Sequence, residues 1–269
     1  MEIGALLVKL REVKPLVHHI TSMVTVSECA NVTLVAGGLP IMAHAPEEVV
    51  EMVDHAGALV LNIGTLTPAQ VDAMVLAGRR ANQLGLPVVL DPVGAGATRL
   101  RSEAVKRLLS EIHISIIKGN EAEIAIMAGG AAEIRGVESI HVSGDVIQLA
   151  AALAQVTGAV VAVTGAVDRV TDGKRLVSVC NGNPLMATVV GTGCMTASMM
   201  GCFSAVEPDT LQAAVAALVT INVAAELAAR TTMAPAAFKA QLYDELFRLD
   251  AEVIGIRQNI TERMINDQH

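Results

Sequence analysis

The residues 188–201, TVVGTGCMTASMMG, run a short β-branched stretch into Gly191, Thr192 and Gly193, then into small residues and methionines that read as a helix. The first N–H groups of a helix have no intrahelical acceptors and carry partial positive charge. Glycines let an anion approach such a backbone closely, so residues 191–194 form a candidate phosphate cradle. Cys194 falls in the first helical turn, where a thiol pKa is expected to drop and the thiolate to become available. The other reading of Cys194 is a small buried hydrophobe. Asp91 closes the apolar run 87–90 and opens on Pro92 and the glycine-containing residues 93–97. That placement suits magnesium or substrate, and equally a carboxylate capping a turn. Lys118 ends the apolar run 114–118 and leads into Gly119-Asn120-Glu121-Ala122-Glu123, where Asn120 and Glu123, three apart, share one helix face and point into one site. Thr164 ends a further β-branched run, just before Gly165.

Bringing these residues together requires strands that alternate with helices. Apolar spacing predicts a helix over 3–14, closed by Pro15, a strand over 16–20 ending at Thr21 and Ser22, and a helix over 24–36 stopped by Gly37 and Gly38. A strand over 40–42 ends at Met42, and another over 58–62 precedes the capping box Thr67-Pro68-Ala69-Gln70, whose helix runs to 84 with Gly85 as its stop. Beyond the strands at 87–90 and 114–118 come a helix over 146–157, a strand over 160–164, and a hairpin of 168–171 with 175–180 through Asp172-Gly173. Asp209 caps a long Ala-rich helix to 230, a last helix covers 236–249, and the charged tail after Gly255 reads as a frayed helix. His18 and His19 are adjacent on a strand, so they face opposite sides and cannot share one metal.

With no repeat and no linker, this alternation argues one α/β domain over residues 1–269: a mainly parallel central sheet with helices on both faces, in three layers. Ligands of such sheets gather at the carboxyl ends of the strands. Ser22, Met42, Gly64, Asp91, Lys118, Asn120 and Thr164 all fall there, where the GTGC turn closes over them.

Composition narrows the function further. Of 269 residues 52 % are hydrophobic and 17 % charged, which predicts a well-cored chain. A net charge of −8, no Trp, one Tyr and three Phe leave neither the basic surface nor the stacking platforms that nucleic acid requires. The four cysteines show no CxxC pair and the N-terminus no signal-peptide pattern, which indicates a reducing, cytoplasmic compartment. Residues 184–206 carry no charge, yet their glycines and hydroxyls fit a buried turn and core helix better than a membrane span.

Taken in order, PLVHHIT, the text of residues 37–52, LVLNIGTLTP, LPVVLDPVGAGAT, IKGNEAEI, VAVTG, NGNPL and VVGTGCM resemble the hydroxyethylthiazole kinases, thiamine-salvage members of the ribokinase-like superfamily. The resemblance implies a ribokinase-like fold and transfer of the γ-phosphoryl group of ATP to the primary alcohol of 4-methyl-5-(2-hydroxyethyl)thiazole, with Mg2+ as cofactor. It implies that the GTGC turn is the anion hole, and that Cys194 stands where most ribokinase-like kinases carry an aspartate base. Asp91 and Glu123 are then expected to serve the magnesium, and Lys118 and Thr164 to contact ATP phosphates, with Asn120 and Gly193 in the same nucleotide site. Met42, Gly191 and Ser22 are expected around the thiazole. The resemblance further implies a homotrimer with sites between subunits. Two positions depart from the family's usual text: Ser22 stands where Asn is frequent, and Lys118 where Arg is frequent, which keeps the charge but loses the bidentate fork. The same superfamily also suggests kinases of hydroxymethylpyrimidine or pyridoxal, and an ATP-dependent dehydratase of hydrated nicotinamide cofactors. The missing aspartate suggests a non-catalytic nucleotide or thiazole sensor.

Overall fold

The computed structural model describes residues 1–135 and 145–265. Its strands are β1 (Leu16–Ile20), β2 (Leu39–Ile41), β3 (Ala58–Asn62), β4 (Val88–Asp91), β5 (Ile116–Asn120), β6 (Val160–Thr164), β7 (Asp168–Thr171), β8 (Arg175–Val179) and β9 (Ile260–Met264). The helices are α1 (Ile3–Val13), α2 (Val26–Ala36), α3 (Val49–Val53), α4 (Pro68–Leu84), α5 (Arg99–Glu111), α6 (Glu121–Arg135), α7 (Val146–Thr157), α8 (Thr192–Ser204), α9 (Thr210–Ala228), α10 (Pro235–Arg248) and α11 (Ala251–Arg257). Among the described residues the strands form one sheet in the order β2-β1-β3-β4-β5-β6-β7-β8-β9. Pairing is parallel from β2 through β6 and antiparallel from β6 through β9.

Strands of alternating side-chain direction but uninterrupted apolar character must be covered on both faces. In β3, Ala58 and Val60 enter one core while Leu59 and Leu61 enter the other; in β6, Val160 and Ala162 oppose Val161 and Val163 in the same way. One core is closed by α1, α2, α8, α9, α10 and α11, the other by α3 to α7. This is the three-layer, mainly parallel arrangement that the sequence predicts. The helix α9 is apolar and long enough to cross a membrane, but 83 % of its apolar window is buried in the protein, as befits a central core helix.

Local signals explain most boundaries. Thr67 accepts the Gln70 N–H at 3.2 Å and Pro68 opens α4, while Gly85 closes it in the left-handed conformation. Three segments differ from the sequence reading. The helix α5 was not anticipated, because only Ala104, Val105 and Leu108 face the core in an otherwise charged segment. The tail after Gly255 is not a frayed helix: α11 stops at Arg257 and β9 then adds to the sheet edge by backbone pairing with β8, its side chains mostly exposed. Residues 266–269 lie outside the described residues. The approach to Gly191 is a 3-10 turn, Pro184–Thr188, instead of a strand, with Asn183 capping Leu185 N–H.

The helix that carries the GTGC turn touches the sheet through Gly201. A Cβ there would lie 2.5 Å from Val60 Cγ2 and 3.0 Å from Val17 Cγ1, both on stiff β-branched side chains in the sheet. Gly201→Val is expected to push α8 off β1 and β3 and to destabilise the protein by about 1–3 kcal/mol. Urea unfolding of the variant checks this; a midpoint equal to that of the parent would mean that the close approach is not needed.

Candidate active site

The apolar strands β3, β4 and β5 each end in a polar residue, and parallel register brings those ends together. Asn62 pairs with Asp91 across β3 and β4, and Leu90 pairs with Ile117 across β4 and β5, so that Asp91 and Lys118 follow side by side. Asp91 is fully buried and Lys118 nearly so, and Lys118 Nζ donates to Asp91 Oδ1 at 3.3 Å. The Asn62 amide donates to Asp91 Oδ2 at 2.8 Å and to Cys194 Sγ at 3.3 Å, while its Oδ1 accepts the Gly64 N–H at 2.8 Å. Burial raises the Asp91 carboxyl above its ordinary value; the Lys118 ammonium pulls it back and the Glu123 charge pushes it further up. For Lys118, burial works to lower the pKa, but the Asp91 charge and hydrogen bond, with the Glu123 charge, overcome it and hold the ammonium above the usual lysine value. The lysine is thus a buried cation, and it faces the turn: a Cβ on Gly193 would lie 3.2 Å from Nζ.

Gly191 is the N-cap of α8, with φ +98, a left-handed conformation that favours glycine. Thr192 Oγ1 ties the turn to Met186 O at 2.9 Å, and Met195 N closes the first helical turn on Gly191 O at 2.8 Å. The N–H groups of Thr192, Gly193 and Cys194 are the helix-start donors without intrahelical acceptors, with Lys118 beside them. Positive potential is concentrated here in a chain that is acidic overall. The expectation for the Cys194 thiol is corrected. Burial, followed by the Asp91 charge, raises its pKa, and the nearby Thr25 hydroxyl, Lys118 and Asn62 offset this only in part. Desolvation and a buried carboxylate keep the resting sulfur a neutral thiol.

Asn120 and Glu123 do lie together, but as a reciprocal cap. Glu123 N–H donates to Asn120 Oδ1, and Asn120 N–H to Glu123 Oε2, both at 2.9 Å. Glu123 Oε1 accepts the Gly94 N–H at 2.9 Å, so this carboxylate also anchors the loop after β4. Arg101 braces the same region, its guanidinium donating to Ile63 O, Val93 O and Gly64 O at 2.7, 2.6 and 2.8 Å. Among the described residues no three His, Cys, Asp or Glu side chains are grouped to hold a metal ion. Two carboxylates close enough to perturb one another fit a divalent cation that arrives with phosphates and keeps part of its water shell.

On the other side of the turn a cavity of about 470 Å³ is lined by Thr164, Asp168, Asn181, Gly193 and Asn222, among others. Thr164 Oγ1 donates to Gly119 O at 3.3 Å, which ties the end of β6 to β5. Buried Asp168 accepts the Gly165 N–H at 2.9 Å and the Asn222 amide at 2.7 Å, and the same amide reaches Asn181 O at 3.0 Å. Asn222, on the core helix α9, thereby holds both walls of the cavity.

The strand ends therefore gather Asp91, Lys118 and Cys194 into one cluster, with Gly191, Gly193, Asn120, Glu123 and Thr164 around it. Ser22 is buried against the Gly64 loop; a Cβ on Gly64 would lie 2.9 Å from Ser22 Cβ. Met42, half-buried, follows β2 at the edge of the sheet, and its carbonyl meets His44 Nδ1 at 3.3 Å. His18 and His19 are both buried: His18 Nε2 meets Ala43 O at 2.7 Å, and His19 meets Val17 O through Nδ1 at 3.0 Å and the Thr33 hydroxyl through Nε2 at 3.5 Å. Sequence reasoning missed Asn62, Arg101, Asp168 and Asn222. Asn62 shows the same signal as Asp91, a polar residue closing an apolar strand. Arg101 and Asn222 act from helices and leave no local mark.

A buried carboxylate–lysine pair, a second carboxylate and a glycine turn opening a helix, all at the carboxyl ends of a mainly parallel sheet, define a small-molecule kinase of the ribokinase-like class. The fold agrees with that of Bacillus subtilis pyridoxal kinase, solved as an ADP complex, at a TM-score of 0.56 and 17 % identity over 78 % of this chain and 91 % of that one. The chain belongs to the hydroxyethylthiazole kinase family, whose model matches residues 7–252. It is 54 % identical over 253 residues to the hydroxyethylthiazole kinase of Methanocella arvoryzae, covering 94 % of this chain and 95 % of that protein. It is likewise 54 % identical over 247 residues to that of Thermoanaerobacter pseudethanolicus, covering 91 % and 94 %. The solved hydroxyethylthiazole kinase protein of Pyrococcus horikoshii superposes with a TM-score of 0.89 at 41 % identity, over 97 % of this chain and 98 % of that one.

A thiol held above its ordinary pKa reacts slowly, because the thiolate is the nucleophile. Iodoacetamide at pH 7.5 is expected to label exposed Cys180 well before Cys194, and the Cys194 rate is expected to climb only as pH passes the ordinary thiol range. Mass spectrometry of the labelled peptides checks this; rapid labelling of Cys194 at neutral pH would restore the thiolate reading.

Proposed function

We propose that this chain transfers the γ-phosphoryl group of ATP to the primary alcohol of 4-methyl-5-(2-hydroxyethyl)thiazole, as a step of thiamine salvage. The observation that carries the reading is the buried Lys118–Asp91 pair linked through Asn62 to Cys194, directly beneath the N–H groups that open α8. Membership of the family and the names of its relatives select the thiazole among small alcohols.

Lys118, Thr164 and the N–H groups of residues 192–194 receive the phosphates, with Asn120 and Gly193 in the same wall. Phosphoryl transfer passes through a loose transition state, so positioning and charge neutralisation supply most of the rate. The alcohol loses its proton late, which makes a neutral thiol adequate beside it: Cys194 orients the hydroxyl, and the proton passes to an oxygen of the arriving phosphoryl group as the new O–P bond forms and the bond to ADP breaks. Asp91 and Glu123 would hold the magnesium ion that accompanies ATP, mostly through water, and that ion would supply charge neutralisation on the phosphates. Asn62 holds Asp91 and Cys194 at a set separation. Ser22, Met42 and Gly191 surround the thiazole.

We read the assembly as a homotrimer with sites at the subunit contacts. Met23, Val24 and Val190, which flank Ser22 and Gly191, are 59 %, 66 % and 73 % exposed, an apolar rim that a neighbouring subunit would cover. A reducing, cytoplasmic compartment suits four cysteines that are all free.

Incubation with MgATP and hydroxyethylthiazole is expected to yield the thiazole phosphate, detected by mass spectrometry. Absence of product while pyridoxal or hydroxymethylpyrimidine is phosphorylated would reassign the acceptor. Asp91→Ala and Glu123→Ala are expected to lower turnover by at least about 100-fold. Cys194→Ala is expected to lose about tenfold or more, whereas Cys194→Asp keeps or raises turnover. A folded but inactive Cys194→Asp would mean that position 194 does not face the alcohol.

A further inference from the structure

Thr25 occupies the N-cap of α2, where a threonine hydroxyl ordinarily accepts an N–H from the second or third helical residue. Here it makes no capping bond. The side chain is turned inward, 3 % exposed, and Oγ1 makes no hydrogen bond of regular geometry, with only the weakly accepting Cys194 and Cys29 thiols beside it. The helix goes without its cap and a buried hydroxyl goes without a regular hydrogen bond, and each of these disfavours the folded state. Packing does not account for them, because valine has the same shape and carries no polar atom to desolvate.

The surroundings of that hydroxyl are the active site. Thr25 Cγ2 lies 3.0 Å from the position of a Cβ on Gly191, so the side chain abuts the glycine turn. Its hydroxyl stands beside the Cys194 and Cys29 thiols, partly offsetting the rise that burial imposes on each. Cys29 is deeply buried whereas Cys194 is partly exposed, which leaves the Cys194 side of the hydroxyl as the side nearer the site. A hydroxyl both donates and accepts, so Thr25 is able to receive the O–H of a bound alcohol while directing its own proton toward the Cys194 sulfur.

We propose that Thr25 Oγ1 is a specificity-determining contact for the acceptor, holding the hydroxyl of a short primary alcohol between the Gly191 turn and Cys194 until the phosphoryl group arrives. The uncapped, unpartnered state belongs to the empty site, and the substrate supplies the missing partner. This inference rests on the kinase reading above and adds to it a residue that comes from α2, outside the motifs that carry the phosphates.

The test compares full-length wild type, Thr25→Val and Thr25→Ser, varying alcohol and ATP separately and recording thermal unfolding without ligand. Removing an unpartnered hydroxyl is expected to raise the Tm of Thr25→Val by about 2–4 °C. The same variant is expected to lose about tenfold in kcat/KM for the alcohol through a raised KM, with KM for ATP unchanged. Thr25→Ser, which keeps the hydroxyl, is expected to stay within about twofold of wild type. A Thr25→Val protein with wild-type kinetics overturns the proposal, as does an equal loss toward both substrates or a Thr25→Ser as impaired as Thr25→Val. A lowered Tm in Thr25→Val also overturns it, since the hydroxyl would then be partnered in the empty protein. Should Thr25→Val fail to fold, the same comparison is made between Thr25→Ala and Thr25→Ser. Wild type that phosphorylates pyridoxal or hydroxymethylpyrimidine instead sinks only the thiazole assignment, and the Thr25 comparison is then read on that alcohol. Wild type inert toward all three alcohols overturns both readings.

Discussion

A lysine and an aspartate share almost complete burial at the end of the central strands, and nearly everything near the site serves to make that tolerable. Desolvating two charges costs several kcal/mol for each, and attraction offsets this only when the remaining hydrogen-bond positions are filled. Asn62 fills one on Asp91 and is itself oriented by the Gly64 N–H. The Lys118 ammonium has donors to spare, and they face the start of α8, where Gly193 has no side chain to intervene. The pair is therefore balanced toward the sheet and unbalanced toward the turn. An anion placed at the turn completes it.

That arrangement explains how an acidic chain presents an attractive surface to a polyphosphate. The net charge of −8 is spread over the surface, whereas the helix start and Lys118 act together in a low-dielectric corner where each charge counts for more. The supporting loops are stiffened by side chains that tie them to neighbouring segments. Glu123 caps α6 and anchors Gly94, Arg101 clamps three carbonyls of two loops, and Asn222 bridges Asp168 and Asn181. Each joins segments distant in sequence, so the strand ends stay in place before any ligand is bound. Within this frame, Thr25 brings to the glycine turn a buried hydroxyl without a regular hydrogen bond.

Much of this was legible from the chain. The strands at 58–62 and 160–164 and the helices at 68–84 and 146–157 follow from apolar runs, a capping box and glycine stops, all signals that act within a few residues. Asp91, Lys118 and Thr164 were legible for a related reason: a polar residue that ends a buried parallel strand has to emerge at the ligand-binding edge. Where packing supplied the stabilisation instead, the pattern was weak. The helix α5 sets a narrow apolar stripe, Ala104, Val105 and Leu108, at helical spacing within a mostly charged segment, and β9 is held by backbone pairing with mostly exposed side chains.

Sequence by itself determined the alternation of strand and helix, the residues at the strand ends and the glycine turn before α8, because propensity, capping and hydrophobic period are local properties. Only the tertiary structure decided that Asn62 would join Asp91 to Cys194, that Arg101 and Asn222 would brace the loops, and that the Thr25 hydroxyl would turn away from its own helix. It also reversed the expected state of Cys194. A helix start favours the thiolate, but burial beside Asp91 keeps the thiol neutral, and burial is a property of the assembled chain that no short stretch of sequence contains.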